Sequence, residues 1–270
     1  MNFSEILEEI ENVDEEIYER TDERRKIIKN FLGSASRIAL SAVPIALGGL
    51  LNKAYGKVPD EIIEVLNFAL TLEHMEFRFY ETAVNTPNLI PAKDKINVIR
   101  DHEREHVNFL QETIKQSGGT PVSEGKYDFT GKGTYPNVLL DYKQFLSVAQ
   151  AFEDTGVAAY KGQAHNLKRS NEILESALRI HSMEARHAAH IRFVRLVSGY
   201  SPALRPWIIG NDKTKGTSIA PIYKHEDKHR QVLININNIG GKQTGHAGTA
   251  SFDEPLHKNE VMKIVSPFMA

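Results

Sequence analysis

Apolar residues recur at helical spacing along most of the first 200 positions, and the pattern breaks at clusters of Pro, Gly and Asn. Residues 4–19 set Ile6, Ile10, Val13 and Ile17 at three- and four-residue steps among glutamates, which predicts a short amphipathic helix. An uncharged run from Ile38 to Asn52 follows. It is too short for a comfortable membrane span and is interrupted by Pro44, Gly48 and Gly49. Four longer periodic segments come next, predicting helices over roughly 60–86, 92–117, 138–167 and 171–198. Pro59 and Asp60 suit a helix start, Ser117-Gly118-Gly119 a stop, and Ser170 and Asn171 a cap. Beyond Gly199 the period is lost. Five prolines and six glycines punctuate 200–270, where "QVLININNI" reads as one strand or an extended wrapping segment and "NEVMKIV" as a last short helix.

The predicted architecture is all-α. It comprises an N-terminal amphipathic helix and an apolar, leader-like segment (1–57), a four-helix bundle (58–199) and an irregular tail wrapping the bundle (200–270). Connection lengths support the bundle. The first and second helices, and the third and fourth, are joined by short turns, whereas the middle connection of about 20 residues can run the length of a bundle. That is a one-long-crossover topology.

Composition narrows the chemistry. The charge is 33 basic minus 35 acidic residues, or -2, and no basic cluster carries interleaved aromatics, which argues against a nucleic-acid partner. There is no cysteine, so thiol nucleophiles, iron–sulfur clusters and Cys-type zinc sites are excluded. Any metal must be held by nitrogen and oxygen, a donor set that suits iron, manganese or zinc.

The four bundle segments carry Glu73, then Glu103 and His106, then Glu153, then Glu184 and His187. The order is Glu, Glu-x-x-His, Glu, Glu-x-x-His. Residues three apart share a helix face, so each Glu-x-x-His pair offers one carboxylate and one imidazole to the same point. In an antiparallel hairpin, residues equally far from the turn lie at equal depth. The midpoint of Glu73 and Glu103 is Asn88, and that of Glu153 and Glu184 falls between Lys168 and Arg169; both are predicted turns. Four carboxylates and two imidazoles thus meet at one level, the ligand set of a di-metal carboxylate site. Glu103 and Glu184 are expected to bridge two ions, Glu73 and Glu153 to be terminal carboxylates, and His106 and His187 to serve one ion each. Four carboxylates bring about -4, which two divalent ions offset. A single Glu-x-x-His would mean little, because surface glutamates are common. Two pairs and two lone glutamates at level positions form the signal.

Other residues are weaker candidates. Tyr80 and Tyr160 repeat the 80-residue offset of Glu73 and Glu153; plain core packing is their default, with hydrogen bonding to the outer carboxylates or a radical relay as the functional alternatives. His102 and His181 are outer-layer candidates, and Glu76 is the fallback ligand should Glu73 point outward. His190 is expected to pack or face solvent. His225, His229, His246 and His257 scatter through the tail.

The segments "LNFALTLEHMEFRFY", "DHEREHVNFL", "AFEDTGVAAY" and "SMEARHAAHIRF", with the late "SFDEPLHKNEVMKIVSPF", resemble the ferritin-like superfamily, and most closely the ferritin-like domain proteins related to desiccation-related proteins. The resemblance implies a ferritin-like four-helix bundle holding two Fe or two Mn ions. Its members include iron-storing ferritins, manganese catalases, rubrerythrin-like peroxidases and oxygenases. The expected function is redox chemistry on a small oxidant, peroxide or dioxygen. The alternative is non-enzymatic metal binding or structural stress protection.

Group members often carry a twin-arginine leader, and Arg24-Arg25 precede the apolar run. They lie behind an acidic helix, and no clean Ala-x-Ala site follows. The expectation is therefore cytoplasmic, with export to the periplasm as the alternative. Membrane contact by 31–51 and homo-oligomer formation stay open.

Overall fold

The computed structural model describes residues 58–210, 220–231, 234–236 and 247–270. The expected amphipathic helix over 4–19, the leader-like segment and the 31–51 membrane contact lie outside the described residues, as does His246. No helix among the described residues is long and apolar enough to cross a membrane.

Four long helices form the body: α1 (Asp60–Val84), α2 (Ile96–Gln116), α3 (Tyr142–Ala164) and α4 (Asn171–Val197). Their pairing follows the short connections, α1 against α2 and α3 against α4. Asn88, the midpoint of the first hairpin, takes a left-handed φ of 61° in the turn, a conformation Asn tolerates better than most residues.

Two helix starts fall later than the periodicity predicts. Pro91 leads into a single 3-10 turn over Ala92–Asp94, and Lys95 has a φ of 56°. That left-handed residue cannot continue a helix, so α2 begins at Ile96. In α3 the start is fixed by Asp141. Its backbone is extended and its carboxylate accepts from the amides of Lys143 and Gln144, satisfying donors the helix leaves free. Ser170 occupies the corresponding position before α4, but its side chain makes no capping bond.

The crossover, residues 117–141, can be followed along α1. Asn67 donates to Thr120 O and accepts from Val122 N, Glu124 pairs with Arg78 at 2.6 Å, and Phe129 meets Phe79 edge-on with centroids 5.1 Å apart. The chain thereby returns along α1 to begin α3, the one-long-crossover connection of a ferritin-like bundle.

The tail adds to this core. It holds a two-residue antiparallel hairpin, β1 (Arg230–Gln231) with β2 (Ile234–Asn235), in place of one longer strand. Two short helices follow, α5 (Ala247–Ser251) and α6 (Lys258–Val265), the second where "NEVMKIV" places it. Phe268 packs on Phe152 of α3 with centroids 4.8 Å apart, and Phe79 sits 5.0 Å from both Phe145 and Phe152. Aromatic rings from α1, the crossover, α3 and the C-terminus therefore fill one end of the bundle.

The tail approaches α3 closely at Gly162. Leu256 N donates to Ala158 O at 3.0 Å, and a Cβ on Gly162 would overlap the Leu256 carbonyl. Backbone cannot yield as a flexible side chain does. We expect Gly162→Ala to cost about 1–3 kcal/mol and to expose 247–270 to limited proteolysis. Thermal melting and cleavage mapping check this; an unchanged cleavage pattern would show that the tail accommodates the methyl.

Candidate metal centre

Each bundle helix delivers its ligands to the interior by helical spacing alone. Glu73 stands on α1, Glu103 and His106 on α2, Glu153 on α3, and Glu184 and His187 on α4. All four glutamates are completely buried, and His187 is nearly so. Carboxylates are rarely left this dry without a compensating charge.

The imidazole nitrogens converge on the carboxylates. His106 Nδ1 lies 3.1 Å from Glu73 Oε2, 3.1 Å from Glu103 Oε2 and 3.2 Å from Glu184 Oε1. His187 Nδ1 lies 2.7 Å from Glu103 Oε1, 3.4 Å from Glu153 Oε2 and 3.9 Å from Glu184 Oε1. Two sets of donor atoms result, each mutually within 4.8 Å: Glu73, Glu103, His106 and Glu184, and Glu103, Glu153, Glu184 and His187. All six residues singled out from the sequence are thus brought together. Glu103 and Glu184 belong to both sets, while Glu73, His106, Glu153 and His187 belong to one each. Glu73 points inward, so the fallback role of Glu76 is not called on.

Several donor atoms have no hydrogen-bond partner: Glu103 Oε1, Glu153 Oε2, both oxygens of Glu184, and His187 Nδ1. The short approach of His187 Nδ1 to Glu103 Oε1 is misaligned for a hydrogen bond. Buried polar atoms left this way are costly, and these all face one volume. Oxygen and nitrogen donors in this number fit two ions such as iron or manganese. Gly156 helps to keep that volume open, because a Cβ there would stand 2.8 Å from Glu184 Oε2.

The electrostatics are those of a proton-sharing cluster that cations can take over. Burial pushes the Glu73 carboxyl up to about 7, although His106 draws it down. Burial also raises Glu153, and raises Glu184 well above the carboxylate range, with Glu103 and Glu73 adding to the latter. For Glu103 burial acts upward too, but His187 and His106 prevail and hold it low. Burial pulls both imidazoles down, and the facing carboxylates overcome it and raise them. Cations entering here displace protons, so uptake strengthens as pH rises.

The two lone glutamates are held by tyrosines from the opposite helix. Tyr160 of α3 donates to Glu73 Oε1 at 2.5 Å, and Tyr80 of α1 donates to Glu153 Oε1. The default of plain core packing is corrected: the 80-residue offset reflects a reciprocal exchange between α1 and α3. Burial raises both phenols well above their ordinary range, with the facing carboxylates adding to the shift, so they stay protonated as donors.

His102 Nδ1 lies 3.0 Å from His187 Nε2 with the rings nearly parallel. If the tautomer of His187 leaves Nδ1 free for the centre, Nε2–H donates to His102. Burial lowers the His181 imidazole, with Asp253 opposing it, and His181 is in neither donor set. His190 Nε2 packs 2.7 Å from Asp94 O. No tail histidine joins a metal-type group among the described residues. We expect His102→Ala to weaken metal affinity by about 10–100-fold, the usual loss for an outer partner, and His102→Gln to restore part of it. Competitive chelator titration measures both; equal affinity in all three proteins would place His102 outside the centre's support.

Two features escape a reading of the sequence. Glu76 is a further buried carboxylate beside the four ligand glutamates, raised well above its usual range by burial and then by Glu184 and Glu73. Burial favours its neutral form, as it does for Glu184. The second is a buried ion pair beside Glu153. Arg192 Nε and Nη2 donate to Asp154 at 3.0 and 2.6 Å, and Tyr223 of the tail donates to the same carboxylate at 2.6 Å. Gln150 donates to Tyr223 Oη and accepts from Arg195 at 2.5 Å. Asp next to a ligand and Arg within a helix are the only local signals, and neither names its partner.

A four-helix bundle with one long crossover and two buried Glu/His groups arranged to chelate a metal pair defines a di-metal carboxylate protein of ferritin-like architecture. Residues 61–196 match the ferritin-like domain family, and the chain belongs to that family. Comparison with curated proteins found no match.

Proposed function

We propose that this protein binds two iron or two manganese ions and uses them for redox chemistry on peroxide or dioxygen. The observation that carries the reading is the sharing of Glu103 and Glu184 between both donor sets. Glu103 and Glu184 would be shared by the two ions, with Glu73 and His106 completing one set and Glu153 and His187 the other. Such a pair, when bound, supplies the two-electron change that peroxide or dioxygen chemistry requires.

The chain's own residues do the rest. Tyr80 and Tyr160 fix the terminal carboxylates, His102 orients His187, and the apolar walls of the bundle keep bulk water away. A catalase-like reaction, in which two peroxides give dioxygen and two waters, needs no external reductant. That suits a chain without cysteine. The finer kinship with desiccation-related ferritin-like proteins is part of the same proposal and draws on the late motif "SFDEPLHKNEVMKIVSPF".

The test is turnover by the manganese-loaded and iron-loaded chain, followed as dioxygen release from peroxide and as dioxygen uptake. Multiple turnovers with either metal, abolished by Glu184→Ala, are expected. Tight stoichiometric metal binding without turnover would overturn the enzymatic reading in favour of metal sequestration or stress protection.

A further inference from the structure

The two sides of the ligand layer are packed differently. Toward the C-terminal end of α1, interlocked aromatic rings fill the bundle. Toward the other end lies an apolar cavity between all four helices. Its position follows from helical register. Ala69 precedes Glu73 by four residues, Leu110 follows His106 by four, Ile180 precedes Glu184 by four, and Tyr160 follows Glu153 by seven; all four line the cavity. One turn is about 5.4 Å, so the cavity begins next to the ligands. Tyr160 is its wall on that side, and the hydroxyl of Tyr160 holds Glu73.

Size and polarity restrict what can enter. The cavity volume is about 20 Å³, room for one molecule of roughly the size of water or a diatomic gas. Among the polar lining residues Tyr160 donates to Glu73, Ser176 donates to Glu172 O and Gln163 accepts from Asn166, which leaves Thr113 Oγ1 as the buried lining atom without a hydrogen-bond partner; one such atom is too few for a buried water, which typically makes about 2–4 bonds. Hydrogen peroxide, as polar as water, would lose its hydrogen bonds there. A small apolar molecule loses none.

We propose that this cavity docks dioxygen one helical turn from the ligand layer. The proposal deepens the di-metal reading and rests on it for its purpose, since it selects dioxygen over peroxide as the molecule the bundle is shaped to concentrate.

The test uses the full chain loaded with zinc, which is diamagnetic and redox-inert. Dioxygen is applied under pressure while the methyl resonances of Leu72, Leu110 and Ile180 are followed by NMR. The expected result is saturable dioxygen-induced relaxation at these methyls, with no response to hydrogen peroxide. Ala177→Leu, which fills the cavity, should abolish the effect, and Phe109→Ala, which enlarges it, should increase it. No saturable gas effect in the wild type, an effect that persists in Ala177→Leu, or an equal response to peroxide would each overturn the proposal. Zinc uptake is measured separately by elemental analysis. A wild type that takes up none fails the di-metal reading, and the gas signals still decide the cavity.

Discussion

Glu103→Ala is expected to abolish binding of both metal ions, not one. Glu103 contributes to both donor sets, it is completely buried, and its carboxyl is the one that the two imidazoles hold low. It is therefore the ligand readiest to meet a cation without first losing a proton. Removing it leaves each set short of one oxygen and takes away one of the two shared carboxylates. The loss should exceed the roughly 10–100-fold typical of outer-shell changes. Glu73→Ala, by contrast, touches one set and should leave the other ion bound. Elemental analysis after dialysis against a weak chelator separates the cases. Equal loss in both variants would show that the two sets do not fill independently, and retention of both ions in Glu103→Ala would refute the bridging assignment.

Arg192→Ala is expected to have the largest effect on stability. Arg192 is fully buried and donates twice to Asp154, which also accepts from Tyr223. Truncating the arginine leaves a carboxylate in the core without its cation, a change that costs about 3–5 kcal/mol. For a chain of this size that corresponds to a Tm lower by roughly 6–20 °C. The double variant Arg192→Met with Asp154→Leu removes both charges and should recover most of the loss, because the penalty lies in the unpaired charge. Thermal melts of the three proteins test it. A loss below about 1 kcal/mol in Arg192→Ala would mean that water reaches Asp154. Through Tyr223 the same pair fastens the tail to α3 and α4, so the single variant should also loosen residues 220–231.

The legible part of this molecule is the part governed by period. Four amphipathic helices, their pairing and the common depth of Glu73 with Glu103 and of Glu153 with Glu184 follow from spacing and turn position. Helix starts were less legible. The boundary at Ile96 depends on a left-handed Lys95, and the one at Tyr142 on the side chain of Asp141. Both are local geometries that periodicity does not encode. Least legible were contacts between distant segments. Tyr80 and Tyr160 repeat an offset in the sequence, but only the fold shows that each serves the other helix's glutamate. Arg192, Asp154 and Tyr223 carry no pattern at all, and the path of the crossover along α1 is set by Asn67 and Arg78, which read as ordinary surface residues.

The central claim is that two metal ions share Glu103 and Glu184 in the middle of the bundle. The most direct measurement is the metal content of the wild-type chain after reconstitution with iron or manganese, by elemental analysis against protein concentration. Two ions per chain at saturation is the predicted result. Saturation at one ion, or no retained metal with either element, would contradict it and leave a helical bundle whose buried carboxylates share protons alone.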